Sequence, residues 1–573
     1  MSQIKEILKT RWKLSVLLAL FATVGRSYRL TNSGQLLFSN NVGEILKSVL
    51  FFVVIFGGIV FISFVFERFV FHKFKLPVIS FVYKKSFLIL FSALLILIDS
   101  LWIFAFFPGN LEPDALYQLM QGLDVVPLST HYPVASTILF TVFIKIGLKI
   151  FGSAGAGLFL YVCFQFIYQD LVFIYVVNSF VKHKNNSSFI LLTAAFYLVF
   201  PLFPIWGICM VKDTLYYVSF LLVLAVCMDI YIVTKNKDDI SGKDGLRLRT
   251  FFLLAAGMVG MLLTRNEGKF VVIVFLVAGL FAYGKRKAAL KEAFYDKTKV
   301  SFAGAVVLSL FIYFVINAIF SMKYDLVKGS PAEALSIPIQ QTARYIREYS
   351  DIKADEKAVL EDIYGKYSGG NIELLGEVYN EDISDPVKTL FTDNPSKKQI
   401  AEYLKVWAKM GLRHPGVYLD AFINHVYGYF DPFREYYYPT EQGFGKAEGI
   451  GWMRIVFVDE MAETWLSLKH SESTKGIRNS LTNVVVYMSE MPFLRLFYHT
   501  GAYTWLLFLG ISIAVKRKDM AALIILAPMC LVVLICMASP VGAHIRYMLP
   551  IIASLPFILG ACFGIFGENN KVI

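Results

Sequence analysis

Apolar runs close to 20 residues long recur along this chain, each bounded by a short polar stretch, and that length matches the hydrocarbon thickness of a bilayer. The runs fall near 13–25, 45–66, 86–108, 133–151, 154–180, 188–207, 213–234, 250–264, 270–284, 300–321, 502–515, 520–538 and 546–565. The pattern predicts an all-α polytopic membrane protein with about 13 apolar segments. One interval, 322–500, interrupts it with a globular mixture of polar and apolar positions. Inside that interval Ile400, Leu404, Trp407 and Leu412 keep helical spacing behind a start signal at Asn394-Pro395-Ser396, and a second helix is expected from Pro415. The expected organisation is a transmembrane domain over 1–321, a mainly helical soluble domain over 322–500 and C-terminal transmembrane helices over 501–573.

Composition agrees with the pattern: 57% of the 573 residues are hydrophobic, 52 of them Phe, and only 17% are charged. The net charge of +12 is unevenly placed. Residues 322–495 hold 20 Lys/Arg against 25 Asp/Glu, a local balance of −5, and the remainder holds 35 against 18, or +17. Such asymmetry follows from the positive-inside rule. The basic loops at 67–85, 235–249, 285–299 and 516–519 are therefore expected in the cytoplasm, with the 109–132 loop and the 322–500 segment outside. No basic stripe interleaved with aromatics occurs in a soluble segment, so nucleic acid is not an expected partner. The six cysteines sit in or beside apolar runs without metal-ligand spacing and read as packing residues. The first run, behind Lys9, Arg11 and Lys13, has no clear cleavage site after it and reads as a retained short span.

Parity raises a difficulty. Three apolar runs lie between His131 and Lys212, whereas the flanking basic loops demand an even number of crossings there. One run must be re-entrant or broken, and "FPLFPIWG" (200–207), with Pro201 and Pro204, is a candidate break.

The outer loop 109–132 carries Glu112, Asp114 and Asp124 but no Lys or Arg. Asp114 lies at the depth of a lipid headgroup, where a carboxylate can take a proton from a hydroxyl; an ordinary solvated loop acid is the bland alternative. His131 opens the next run ahead of Pro133, as a phosphate or metal contact or as a plain interfacial polar residue. Lys212 and Asp213 are neighbours on one helix and cannot pair with each other, so each needs its own partner. Arg265, Asn266 and Glu267 lie in the short "TRNEG" turn, on the side where few basic residues are expected, and His544 with Arg546 repeat the situation. Arginine offers a fork that fits phosphate oxygens. Gln340, Gln341 and Arg344 open the soluble segment within about one helical turn and suit saccharide hydroxyls, or else cap the domain onto the bilayer. Acids and cations from five separate stretches thus converge on one face, which points to an enzyme acting on a lipid-linked anionic substrate.

At this point the chain resembles the GT-C superfamily of polytopic glycosyltransferases that use polyprenyl-phosphate-linked sugars. The resemblance rests on "EPDALY" (112–117), "HYP" (131–133) and "VKDTLYY" (211–217). "LLTRNEGKF" (262–270), "IPIQQTARYIREY" (337–349) and "ISDPVK" (383–388) are similar to a bacterial GT-C-like family, over most of the chain from about residue 90. The resemblance implies Asp114 as general base and Asp213 as second catalytic acid. It makes Lys212, Arg265 and Arg546 candidate phosphate binders, and Glu112, Tyr117, His131, Asn266, Glu267, Gln340, Gln341, Arg344 and His544 complete the expected substrate contacts. It also implies a polyprenyl-phosphate-sugar donor, a glycan, lipid or protein acceptor, and a place in the bacterial cytoplasmic membrane. The chain lacks the adjacent acidic pair of the mannosyltransferase type, which leaves a divalent cation, magnesium or manganese, as an open question. A flippase of lipid-linked saccharide and an envelope polymerase or ligase are the competing readings.

Overall fold

The computed structural model describes residues 2–71, 79–235, 248–284, 292–434, 437–440, 443–446 and 465–566. Of the expected basic loops, residues 236–247, 285–291 and 72–78 lie outside the described residues. The chain opens with helices α1 (Ser2–Thr31), α2 (Val42–Phe71) and α3 (Lys85–Ala105). Then follow strand β1 (Asn110–Leu111) and helices α4 (Pro113–Gly122), α5 (Val134–Phe151), α6 (Ala154–Lys182), α7 (Ser187–Val199) and α8 (Leu202–Gly207). Strand β2 (Cys209–Met210) leads into α9 (Lys212–Lys235), α10 (Leu248–Thr264), α11 (Gly268–Gly284) and α12 (Glu292–Lys323). Among the described residues, seven helices are long and apolar enough to cross a membrane, or eight if the bent pair Ile545–Ala553 and Leu555–Phe563 is one span. The protein is thus an all-α, multi-pass membrane protein. Helix α9 is its axis: 83% of its apolar window is buried, against 11% for α2, which faces outward.

The helix layer has two ends. At one, Tyr83 donates to the Asn185 carbonyl (2.7 Å), and His183 meets Asp229 (2.7 Å). At the other, β1 and β2 pair in parallel, Asn110 beside Cys209 and Leu111 beside Met210. The end of α3 and the start of α6 also lie there, since Pro108 packs against Gly155.

This arrangement resolves the parity. Helix α5 starts beside Asp114, where the Tyr132 hydroxyl reaches that carboxylate (3.4 Å), and its last turns pack on the first turns of α6. Gly147 and Gly157 meet there so closely that a Cβ on either would overlap the other helix's backbone. Small residues at a helix crossing permit such an approach. Gly152, in the left-handed region (φ 65°), then reverses the chain into α6, whose first turn Ser153 caps. Both ends of α5 therefore lie at the β1–β2 end of the layer. The run expected to span at 133–151 is long and apolar enough to do so, but it does not run from one end of the helix layer to the other. Helix α6 crosses; α7 and α8 return, interrupted at Phe200–Pro201 because Pro201 cannot continue α7.

Residues 332–418 build a second core around Ile339, Tyr345, Leu360, Tyr364, Tyr403 and Met410. This helical unit seats on the β1–β2 end. Val327 forms an isolated parallel bridge with Ser129, and Ser384 donates from its backbone to the Pro540 carbonyl (2.9 Å). His425 contacts the Ser539 carbonyl (2.6 Å), and the Tyr28 hydroxyl donates to Asp420 (2.5 Å). Across the layer, Arg478 and Thr474 both donate to the Ala105 carbonyl.

Candidate functional site

The parallel β1–β2 pair decides where the charged residues meet. Continuing its register brings 112–114 alongside 211–213, and both segments begin a helix at that point. Pro113 opens α4, a position where its missing N–H costs nothing. Asp114 and Asp213 each occupy the first turn of a helix, where the positive end of the backbone dipole favours an acid. A third helix start faces them: Ile545–Ala553, capped by His544, whose Nδ1 accepts from the Arg546 backbone N–H (3.1 Å).

Arg546 is the hub. Its Nη2 donates to Asp114 Oδ2 at 3.0 Å, its Nη1 lies 3.7 Å from Glu112 Oε2, and its Nε lies 3.6 Å from Asp213 Oδ2. Only the first is a hydrogen bond by distance. Lys212 Nζ donates to the same Asp114 Oδ2 at 3.0 Å and stands 4.7 Å over the Tyr132 ring. Among the described residues, Asp114 Oδ1 receives only the weak hydrogen bond of the Tyr132 hydroxyl at 3.4 Å. Arg265 pairs with Asp213 and Glu267 and lies over the rings of Tyr547 (5.0 Å) and Tyr216 (5.6 Å). Beside these residues is a small cleft lined by Tyr216, Arg265, Glu267, Ser539 and Tyr547 over an apolar floor of Val532, Ile535 and Cys536.

The two aspartates differ in access. The Asp114 side chain is 28% exposed and Asp213 only 2%. Asp213 Oδ2 and Arg546 Nε are both buried without a hydrogen bond. Burial alone would push the Asp114 carboxyl upward, but Lys212 and Arg546 outweigh it and hold the group well below the usual carboxylate range. Arg265 is held above its ordinary range by Glu267 and Asp213, against the opposing effect of burial.

Of the residues singled out in the sequence, Glu112, Asp114, Lys212, Asp213, Arg265, Glu267 and Arg546 form one continuous cluster, with His544 capping the helix that carries Arg546. His131 and Asn266 border it. Asn266 donates to the His131 carbonyl (3.1 Å), while the His131 ring lies 3.8 Å from Glu333 at the seam with the second core. Tyr117 is 46% exposed, its ring 6.2 Å from that of Tyr132. Gln340, Gln341 and Arg344 lie elsewhere, inside the 332–418 unit. Gln340 donates to the Asn380 carbonyl (2.7 Å), Gln341 to the Tyr418 carbonyl (3.0 Å) and Arg344 to the Asn32 carbonyl (3.0 Å). Tyr132, Tyr216 and Tyr547 were not singled out, yet each sits against a site cation. The signal was local: each neighbours a site residue in sequence or follows one by a helical turn. No group of three or more His, Cys, Asp or Glu is arranged to hold a metal among the described residues. The carboxylates of the cluster face arginines and a lysine instead.

A family model described as a family of unknown function, DUF6020, matches residues 104–564. No curated protein and no solved structure matches the chain.

Proposed function

We propose that this chain, which belongs to the DUF6020 family, is an inverting glycosyltransferase. It would move a sugar from a polyprenyl-phosphate donor to a glycan, lipid or protein acceptor of the cell envelope. The observation that carries the reading is the convergence of Lys212 and Arg546 on the half-open carboxylate of Asp114, with Arg265 held beside them on Asp213, at one end of the helix layer and beneath a separately cored unit. The resemblance of "EPDALY", "HYP" and "VKDTLYY" to GT-C enzymes supports it. In this reading the clustered end faces outward from a bacterial cytoplasmic membrane and the 322–500 segment is extracytoplasmic.

The chemistry suits the layout. The acceptor oxygen bonds to the anomeric carbon as the bond from that carbon to the phosphate oxygen breaks, its electron pair leaving with the lipid phosphate. Displacement from the opposite face inverts the anomeric centre. Asp114 Oδ1, the less occupied oxygen, takes the acceptor proton. Arg546 and Lys212 meet the charge that grows on the leaving phosphate. Asp213, too enclosed to reach a substrate, holds Arg265 and Arg546 in place. Transfer from polyprenyl-phosphate sugars in proteoliposomes tests the reading: the wild type should transfer and Asp114→Asn should not, with donor still bound. An Asp114→Asn protein that transfers at the wild-type rate would end the assignment.

A further inference from the structure

The resting cluster poses a chemical problem for its own base. A carboxylate whose Oδ2 is shared by Lys212 and Arg546 at 3.0 Å each is a poor proton acceptor, because two cations favour its ionised form. An efficient general base has a proton affinity matched to the working pH. Yet the same two cations are those placed to receive an anion. Arg546 is poorly satisfied where it stands: of its three carboxylate neighbours only Asp114 is within hydrogen-bonding distance, and its Nε points at Asp213 Oδ2 across 3.6 Å with neither atom bonded. A planar guanidinium with unspent donors beside a cleft can turn to a tetrahedral oxyanion that offers better geometry.

Resting on the transferase reading, we propose that a phosphate ligand activates the base by partner exchange: its oxygens take Arg546 and Lys212, and Asp114, stripped of both cations, becomes the proton acceptor. Two effects then act in one direction on Asp114. It loses two opposite charges, and it gains a like charge nearby. The other groups facing it are Tyr132, which donates to Oδ1, and, further out, His131, Asp213, His544 and Tyr547. Asp213 stays clamped by Arg265, so the exchange leaves Arg546 anchored rather than released. The consequence is a safeguard: without donor phosphate the base is quenched, and acceptor hydroxyls are not deprotonated idly.

Infrared difference spectra of the full chain in detergent, wild type minus Asp114→Asn, isolate the protonated carboxyl band of Asp114 as pH is lowered. Farnesyl phosphate is the probe, with inorganic phosphate in parallel. The expected result is a midpoint for that band raised by about 1–3 pH units at saturating farnesyl phosphate. Lys212→Met should raise the midpoint without any ligand and shrink the ligand-induced shift, which keeps the test open if Asp114→Asn folds poorly. A shift with farnesyl phosphate alone assigns the trigger to a lipid-borne phosphate, and equal shifts assign it to phosphate itself; both support exchange. Saturable binding of farnesyl phosphate with an unmoved midpoint overturns the exchange and leaves the transferase reading standing. Failure of farnesyl phosphate to bind removes the reading, and the exchange with it.

Discussion

Replacing Asp213 by Asn tests the division of labour between the two aspartates. The Asp213 side chain is 2% exposed, paired through Oδ1 with Arg265 and facing Arg546 Nε through Oδ2. Removing one partner of a buried ion pair costs about 3–5 kcal/mol when the other charge is left uncompensated. The Asn oxygen still accepts from Arg265, and Arg265 keeps Glu267, so the lower end, about 3 kcal/mol, is the expected loss. Asp114 is 28% exposed, and an Asn there still accepts from Lys212 or Arg546 while water reaches the remainder. Its replacement should cost about 1 kcal/mol, the scale of one net hydrogen bond. Thermal unfolding in detergent at neutral pH, followed by intrinsic fluorescence, reads both. Asp213→Asn should melt clearly below Asp114→Asn, and raising the salt should not close the gap, because a buried pair is little screened. Equal melting of the two variants would refute the assignment of Asp213 as the clamp and Asp114 as the accessible group.

Four further outcomes follow from the geometry. Arg546→Lys, a point charge unable to face three carboxylates at once, should lower the transfer rate by about 10²–10³-fold, the scale seen for loss of one oriented donor; near-normal transfer would remove Arg546 from the site. Gly147→Leu should destabilise by about 1–3 kcal/mol or more, because its side chain meets the Gly157 backbone; a wild-type melting temperature would show that α5 and α6 do not cross there. The His544 imidazole, driven by burial and then by Arg546, is pushed down to about 3, whereas in the unfolded chain it titrates near ~6.5. The unfolded state then binds the extra proton first, so stability is full above pH ~6.5 and falls as pH drops toward 3. His544→Asn, which keeps a cap, should flatten that slope in melts run from neutral to mildly acidic pH. Arg344→Gln should lower the stability of the 332–418 unit by about 2 kcal/mol through its lost charged hydrogen bonds, with donor KM unchanged, and a changed KM would place Arg344 in the site after all.

The hydrophobic pattern made the helices legible because a membrane helix must satisfy its own backbone and advertises this by length alone. Length is also where the pattern misleads. Val134–Phe151 is as long and apolar as a crossing, and only the contact of Gly147 with Gly157 and the tether of Tyr132 to Asp114 show that both its ends share one end of the layer. Glycine pairs 10 residues apart in sequence carry no periodic signal, so no count of apolar positions could have revealed this turn. The site was legible for a different reason. An acid or a cation at the end of an apolar run has few neighbours that could satisfy it, so partners had to come from other ends. Charges drawn from 112–114, 212–213, 265–267 and 544–546 could therefore be grouped before any contact was seen. Gln340, Gln341 and Arg344 show the limit of that logic. They sit in a unit with its own core, where the main-chain carbonyls of Asn380 and Tyr418 satisfy the two glutamines and Glu348 pairs with Arg344, which also reaches the Asn32 carbonyl after the first helix. A polar residue near a membrane is a clue to a shared site only when its own segment offers it nothing to bond.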